Sequence, residues 1–244
     1  MKRTPLVVVG SSLLVLSVAF LGFVGFQTVG TSIVSTQAVA AARSEVENVL
    51  EGDVAPTDVV SHGPLGRLPG GSETSASPGA VDVVRPEEGE TFGLVYVPRL
   101  RSKAWAQPLS SGIEDEQLNS GIGHFPNSAM PGELGNFAIA GHRATYGEPF
   151  AFVDQFSPGD RVIIRTAKGW FVYTLTKDQI VKPEDVWVVD PVPGQAGAEP
   201  TQALLTIVTC EPRWGSTSRW IWWGELTEVL PAGSPPVEIV KYGA

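Results

Sequence analysis

The chain carries a single cysteine, Cys210, in the stretch Thr206-Ile207-Val208-Thr209-Cys210-Glu211-Pro212. The apolar, β-branched run Leu204 to Thr209 reads as a buried strand. Pro212, Gly215 and Ser216 break regular structure and mark a loop. Arg219-Trp220-Ile221-Trp222-Trp223 reads as the strand that returns. The thiol therefore sits at a strand end, at the mouth of a loop, with an arginine on the neighbouring strand. A guanidinium so placed stabilises a thiolate or a developing oxyanion. A second apolar run, Asn136 to Ala140, ends at Gly141-His142-Arg143. One Cys, one His and one Arg at strand ends make a candidate set of nucleophile, acid/base and oxyanion clamp. The competing reading treats a lone cysteine as a small buried hydrophobe.

Each residue has its own argument. A free thiol has a pKa of about 8.5, so only a few per cent is thiolate at neutral pH. His142 is the candidate acid/base, protonating a leaving amine when cationic and accepting a proton when neutral. Arg219 is preferred to Arg213 as the oxyanion clamp. It opens a strand, whereas Arg213 lies in the loop, and electrostatic catalysis requires fixed donors. Arg143, next to His142, points to the other side of an extended chain and reads as support. Thr209, preceding the nucleophile, is a candidate to bind the substrate peptide, as is Tyr146, four residues after His142. His124, in Gly123-His124-Phe125-Pro126, is expected to be structural.

The run Thr206-Ile207-Val208-Thr209-Cys210 resembles the Thr-Leu-x-Thr-Cys signature of sortases, with Ile in place of Leu. Pro131-Gly132-Glu133-Leu134-Gly135-Asn136 to Gly141-His142-Arg143 resembles the sortase histidine region. His142-Arg143-Ala144-Thr145-Tyr146-Gly147 is most similar to the class E sortases of actinobacteria. The resemblance covers roughly Thr91 to Leu230 and implies a transpeptidase at the outer face of the membrane. It further implies that Cys210 cleaves a C-terminal sorting motif, of LPxTG or LAxTG type, between Thr and Gly. Cys210 would hold the Thr as a thioester and pass it to an amine of a peptidoglycan precursor (lipid II). Class E similarity implies a preference for Ala over Pro at the second position, with the Tyr146 phenol accepting the alanine N–H that proline lacks. Three alternatives stay open. They are a pilin-polymerising sortase using a lysine acceptor, a thiol hydrolase, and a membrane-tethered β-barrel binding module with an inert cysteine.

Elements must hold these residues in place. The first three residues are short and basic, and no charged residue follows until Arg43. The uncharged run Leu6 to Phe26 would rise about 30 Å as a helix, the thickness of a bilayer core. We expect a cytoplasmic tail over 1–5, a transmembrane helix over 6–26 and an extracellular linker over 27–90, the positive end staying cytoplasmic. Arg43 to Leu50 can extend a helix, and the Gly-, Pro-, Ser- and acid-rich remainder cannot bury enough surface to fold. The catalytic domain is expected over 91–244.

Within it, strands are expected at Gly93–Pro98, Asn136–Ala140, Arg161–Thr166, Trp170–Thr176, Ile180–Val181 and Val186–Val189. With the two flanking the Cys210 loop these make about eight. Short helical pieces are expected at Ile113–Gly121 and Phe150–Phe156. Short strands with Gly- and Pro-rich turns argue an all-β fold closed into an eight-stranded barrel. Trp222 and Trp223 cannot both face inward in a regular strand. A net charge of −9 disfavours nucleic acid as a partner. One cysteine excludes an internal disulfide and a thiolate-rich zinc site. No metal and no cofactor is expected.

Overall fold

The structure, a computed structural model, describes residues 5–26, 30–52 and 85–243. Helix α1 runs Pro5–Gly25 and α2 runs Thr31–Gly52. The strands are β1 (Thr91–Tyr96), β2 (Gln107–Ser111), β3 (Ile122–His124), β4 (Gly135–Ala140), β5 (Arg161–Thr166), β6 (Gly169–Val181), β7 (Ala203–Glu211) and β8 (Ser218–Leu230). Helix α3 (Asp115–Ser120) joins β2 to β3, and α4 (Val237–Tyr242) ends the chain. The strands close into a barrel in the order β1-β2-β3-β4-β7-β8-β6-β5. Only β2–β3 and β4–β7 pair in parallel; the other neighbours are antiparallel.

The barrel has eight strands, the number expected, although two of the expected eight are replaced. Ile180–Val181 is not separate, because a bulge between Leu175 and Lys177 lets β6 continue along β8 to Val181. Val186–Val189 is a 3₁₀ turn that lays Val188 against the outer face of β8. It cannot join the ladder there, since β8 already has β6 and β7 on its two edges. Their places are taken by β2 and β3. The β5–β6 hairpin closes through Gly169 at φ +134°, where a Cβ would stand 2.3 Å from the Leu230 carbonyl oxygen.

Alternation along the strands builds two apolar layers. Val95, Phe137, Ile139, Tyr173, Leu205, Ile207 and Trp222 fill the interior. Trp223, one residue on, faces outward and stacks on Trp187 of the 3₁₀ turn. Strand β1 is buried on both faces because Leu94 and Tyr96 point outward under α2, whose Val46 and Leu50 cover them. Within the expected linker of 27–90, Thr31–Gly52 is a helix packed on the barrel. Residues 27–29 and 53–84 of that linker lie outside the described residues. Among the described residues no helix meets the length and apolarity of a membrane crossing. The expected span therefore stands as a proposal below.

Candidate active site

Two parallel strands carry the two candidate groups to one end of the barrel. In the β4–β7 register Ala140 faces Val208, so His142 and Cys210 each lie two residues further along. Beyond the last ladder pair, the Gly141 N–H donates to the Val208 carbonyl at 3.2 Å. The buried Thr209 hydroxyl donates to the Gly141 carbonyl at 2.8 Å. Residue 141 must be glycine, because a Cβ there would meet the Phe150 ring at 2.8 Å. Thr209 thus turns inward and fastens the histidine-bearing chain to the cysteine-bearing strand. On the other side, Cys210 stands directly opposite Arg219 in the antiparallel β7–β8 pair. Directly opposed residues share a face, with Cβ atoms about 5 Å apart.

His142, Cys210, Arg143, Arg213 and Trp214 line a cleft of about 310 Å³. Cys210 is half-buried and unpaired, so the thiol is reachable. His142 Nε2 lies 2.9 Å from Asn119 Oδ1. With that oxygen accepting, the neutral ring carries its proton on Nε2 and leaves Nδ1 as the base. The bond also survives protonation, since the cation donates from both nitrogens. The ring stacks on Tyr146, centroids 5.4 Å apart. Burial pushes the imidazole pKa below its ordinary value, and the charge of Asp115 partly restores it. At neutral pH His142 is therefore predominantly the base form.

The loop after His142 is held in an uncommon shape. Thr145, Tyr146, Gly147 and Glu148 all have positive φ, at 66°, 47°, 76° and 45°. Three of them bear side chains that disfavour this region. The Glu148 carboxylate anchors the turn, accepting from Lys103 Nζ and from Arg213 Nη2, each at 2.8 Å. Burial raises its pKa, but these two cations outweigh that and hold it below the usual range. Arg213 thereby ties the β7–β8 loop to the histidine loop, with its guanidinium against the Phe152 and Trp214 rings.

The arginines divide by surroundings. Arg143 is buried, paired with Glu211, and stacked 4.9 Å above Trp220. Arg219 donates from Nη1 to the carbonyls of Ser216 and Ser218, both at 3.0 Å. Its Nε and Nη2 meet no acceptor among the described residues. His124 lies apart from the cleft, on β3, enclosed by Phe92 and Phe137. Its Nε2 is 3.0 Å from the Ala129 carbonyl and 2.9 Å from the Ser128 hydroxyl. Burial pushes its pKa down to about 4.

The structure brings His142, Cys210 and Arg219 to one end of β4, β7 and β8, with Tyr146 against His142 and Thr209 beneath them. Sequence reasoning missed Asn119, Lys103 and Glu148. A short helix with an asparagine in its last turn carries no chemical signature. Lys103 and Glu148 are paired across 45 positions by folding alone.

A model of the sortase domain matches residues 95–227, more than half the chain. Sortase SrtE1 of Streptomyces coelicolor is 36% identical over 153 residues, which are 59% of this chain and 43% of that protein. The chain therefore spans less than half the length of that relative. Sortase SrtE2 of the same organism is 30% identical over 182 residues, covering 69% of this chain and 68% of that one. Among solved structures, sortase E of Streptomyces avermitilis superposes with a TM-score of 0.55 at 38% identity. That superposition covers 62% of this chain and 98% of that chain.

Proposed function

The chain belongs to the sortase family, and from that premise we propose that it is a cysteine transpeptidase tethered to the outer face of the cell membrane. The observation that supports this reading best is the register pairing of Cys210 with Arg219, with the parallel strand delivering His142 to the cleft that Cys210 lines. A three-part arrangement of this kind serves acyl transfer.

In the first half-reaction the Cys210 sulfur attacks the carbonyl carbon of a sorting-motif threonine. His142 Nδ1 takes the thiol proton as the S–C bond forms. The oxyanion that develops is stabilised by the open N–H groups of Arg219. His142 returns the proton to the glycine nitrogen, the C–N bond breaks, and the threonine remains as a thioester. In the second half-reaction an acceptor amine attacks the thioester. Its proton passes to His142, the new C–N bond forms, and the C–S bond breaks to release Cys210. Asn119 and the Tyr146 ring keep the imidazole in one tautomer and one orientation.

The substrates proposed are secreted proteins ending in an LAxTG or LPxTG motif. The acceptor proposed is an amine of the peptidoglycan precursor, with a pilin lysine as the alternative. Tyr146 keeps its proposed place at the edge of the peptide groove, where its phenol favours Ala over Pro. Membrane attachment is proposed through α1, whose described apolar side chains, among them Leu14, Val18 and Phe20, are exposed. The amino terminus would stay cytoplasmic and the barrel outside.

The test incubates the chain with matched LAxTG and LPxTG peptides and a primary amine, and identifies products by mass. A threonine-amide product with loss of the glycine fragment is the expected result. A threonine acid regardless of amine would make the protein a hydrolase. No cleavage of either peptide, with Cys210 alkylated only after denaturation, would favour the binding-module alternative.

A further inference from the structure

Helix α2 changes character along its length. Its buried residues, Thr31, Ser35, Val46 and Leu50, fall at helical spacing, so one face is turned to the protein throughout. Val46 and Leu50 supply the apolar attachment, over Leu94 and Tyr96. Ser35 has almost no apolar surface to contribute, yet it is only 1% exposed. Its hydroxyl donates to the Ser32 carbonyl at 3.2 Å, so its polar need is met within the helix. What Ser35 supplies is close approach. It lies against Gly147, in the loop that follows His142, where a Cβ on Gly147 would stand 3.2 Å from Ser35 Oγ. The same helix packs on α3.

Both supports of the His142 ring are therefore backed by α2. Tyr146, which stacks on the ring, is the residue before Gly147. Asn119, which holds Nε2, lies on α3. Neither support is rigid by itself. The loop from Thr145 to Glu148 keeps positive φ at every residue, a shape that persists only when its surroundings enforce it. Helix α3 has six residues, too few to be stable without packing. Glu148 is tied down by Lys103 and Arg213 at the far end of the loop, and Ser35 closes on its middle. Helix α2 lies outside residues 95–227, which match the sortase domain. We infer that α2 completes the proton-transfer apparatus from outside that domain, with Ser35 as the positioning residue that sets how closely the histidine loop sits. The inference deepens the transpeptidase reading and rests on it for the reaction that His142 serves.

The test compares the full-length parent with Ser35→Leu, Ser35→Ala and Leu50→Ala. Three quantities are measured: Tm, kcat for cleavage of the sorting peptide, and the pH titration of the His142 ring protons by NMR, assigned by their loss in His142→Ala. The larger side chain of Ser35→Leu has no room against Gly147 and pushes the loop away. Its kcat should fall by about 10²-fold, the cost of displacing a reacting group by about 1 Å. The His142 titration should move up toward the ordinary value of about 6.5, because burial is what holds it down. Ser35→Ala keeps the close approach and should match the parent in both. Leu50→Ala loosens the other end of the same helix, so its Tm should fall while kcat and the titration stay at parent values. A folded Ser35→Leu protein with a lowered Tm and an unchanged His142 titration would overturn the inference, since α2 would then be packing alone. Should Ser35→Leu not fold, the parent itself decides. Nuclear Overhauser contacts between the Gly147 α protons and the Ser35 β protons are expected, and their absence overturns the inference. Both NMR measurements need no turnover. A parent that cleaves no peptide but shows the contact and the shifted titration would sink the reading of the reaction and leave the positioning of His142 standing.

Discussion

Two histidines lie at the ends of neighbouring strands, and their surroundings have nothing in common. His124 ends β3 and His142 follows β4, whose Ile139 pairs directly with His124. His124 is enclosed by Phe92 and Phe137, bonded to Ser128 and Ala129, and almost wholly shielded from water. His142 stands half-buried in an open cleft, held by one side-chain oxygen and one aromatic ring. Burial pushes both pKa values down, but only His142 has a counterbalancing carboxylate, Asp115, as its second influence. A dry histidine bonded through Nε2 alone, its Nδ1 buried and without a partner, is a packing element. A histidine with one nitrogen fixed and the other facing a cleft is equipped to move protons.

Substitution separates the two roles. His142→Ala should lower kcat/KM for peptide cleavage by about 10²–10⁴, the usual worth of a positioned acid/base, with little change in Tm. His124→Ala should do the reverse. It removes a ring from the core and takes the His124 hydrogen bond from the Ala129 carbonyl, costing about 1–3 kcal/mol of stability, while the folded fraction keeps its activity. An inactive but stable His124→Ala beside an active His142→Ala would reverse the assignment.

The arginines permit the same contrast. Arg219→Ala should cost about 10²–10³ in rate, as loss of an oxyanion donor does. Arg213→Ala should act mainly on KM, through the released Glu148 and the loosened loop. Equal effects on rate would mean that the clamp is not confined to the strand.

Acidification tests the dry histidine. With a folded pKa of about 4 and an unfolded value near 6.5, His124 binds more protons when unfolded. Its contribution to stability is complete above about pH 6.5 and falls as the pH drops toward 4, by roughly 3 kcal/mol in total. His142 is shifted in the same direction, so the melts should be compared in a His142→Ala background. The decline in Tm from pH 7.5 to 5 should be shallower in His124→Gln. Parallel curves would show that His124 is not the group being titrated.

The smallest effect expected is that of Asn119→Ala. Losing one hydrogen bond at a part-buried ring costs about 1 kcal/mol, so the rate should fall severalfold. The pH at which activity is half-lost should shift as the tautomer is freed. An unchanged pH profile would reduce Asn119 to a surface contact.

Much of the site was legible before the fold was known. Cys210 and Arg219 flank a loop rich in Pro, Gly and Ser, and a strand-loop-strand pattern of that kind has few ways to pair except antiparallel. The parallel pairing of β4 with β7 left no local trace, because parallel neighbours are distant in sequence. Strands β2 and β3 were missed for a related reason. Gln107-Pro108-Leu109-Ser110-Ser111 is short, proline-bearing and hydroxyl-rich, and β3 spans only Ile122–His124. Neither alternates strongly enough to announce a strand, and each is held by its partner's ladder. Helix α2 shows too few apolar residues to require burial. Val46 and Leu50 suffice because Leu94 and Tyr96 already protrude from β1.

The central claim is that Cys210 carries the acyl group while His142 moves the proton. It is tested most directly by mixing the full chain with a sorting-motif peptide in the absence of amine, quenching in acid, and measuring the intact mass. The account predicts a mass gain equal to the peptide through its threonine, mapped to Cys210, absent in Cys210→Ala and cleared by added amine. Peptide cleavage at the parent rate by a folded Cys210→Ala protein, with no adduct in either, would contradict it.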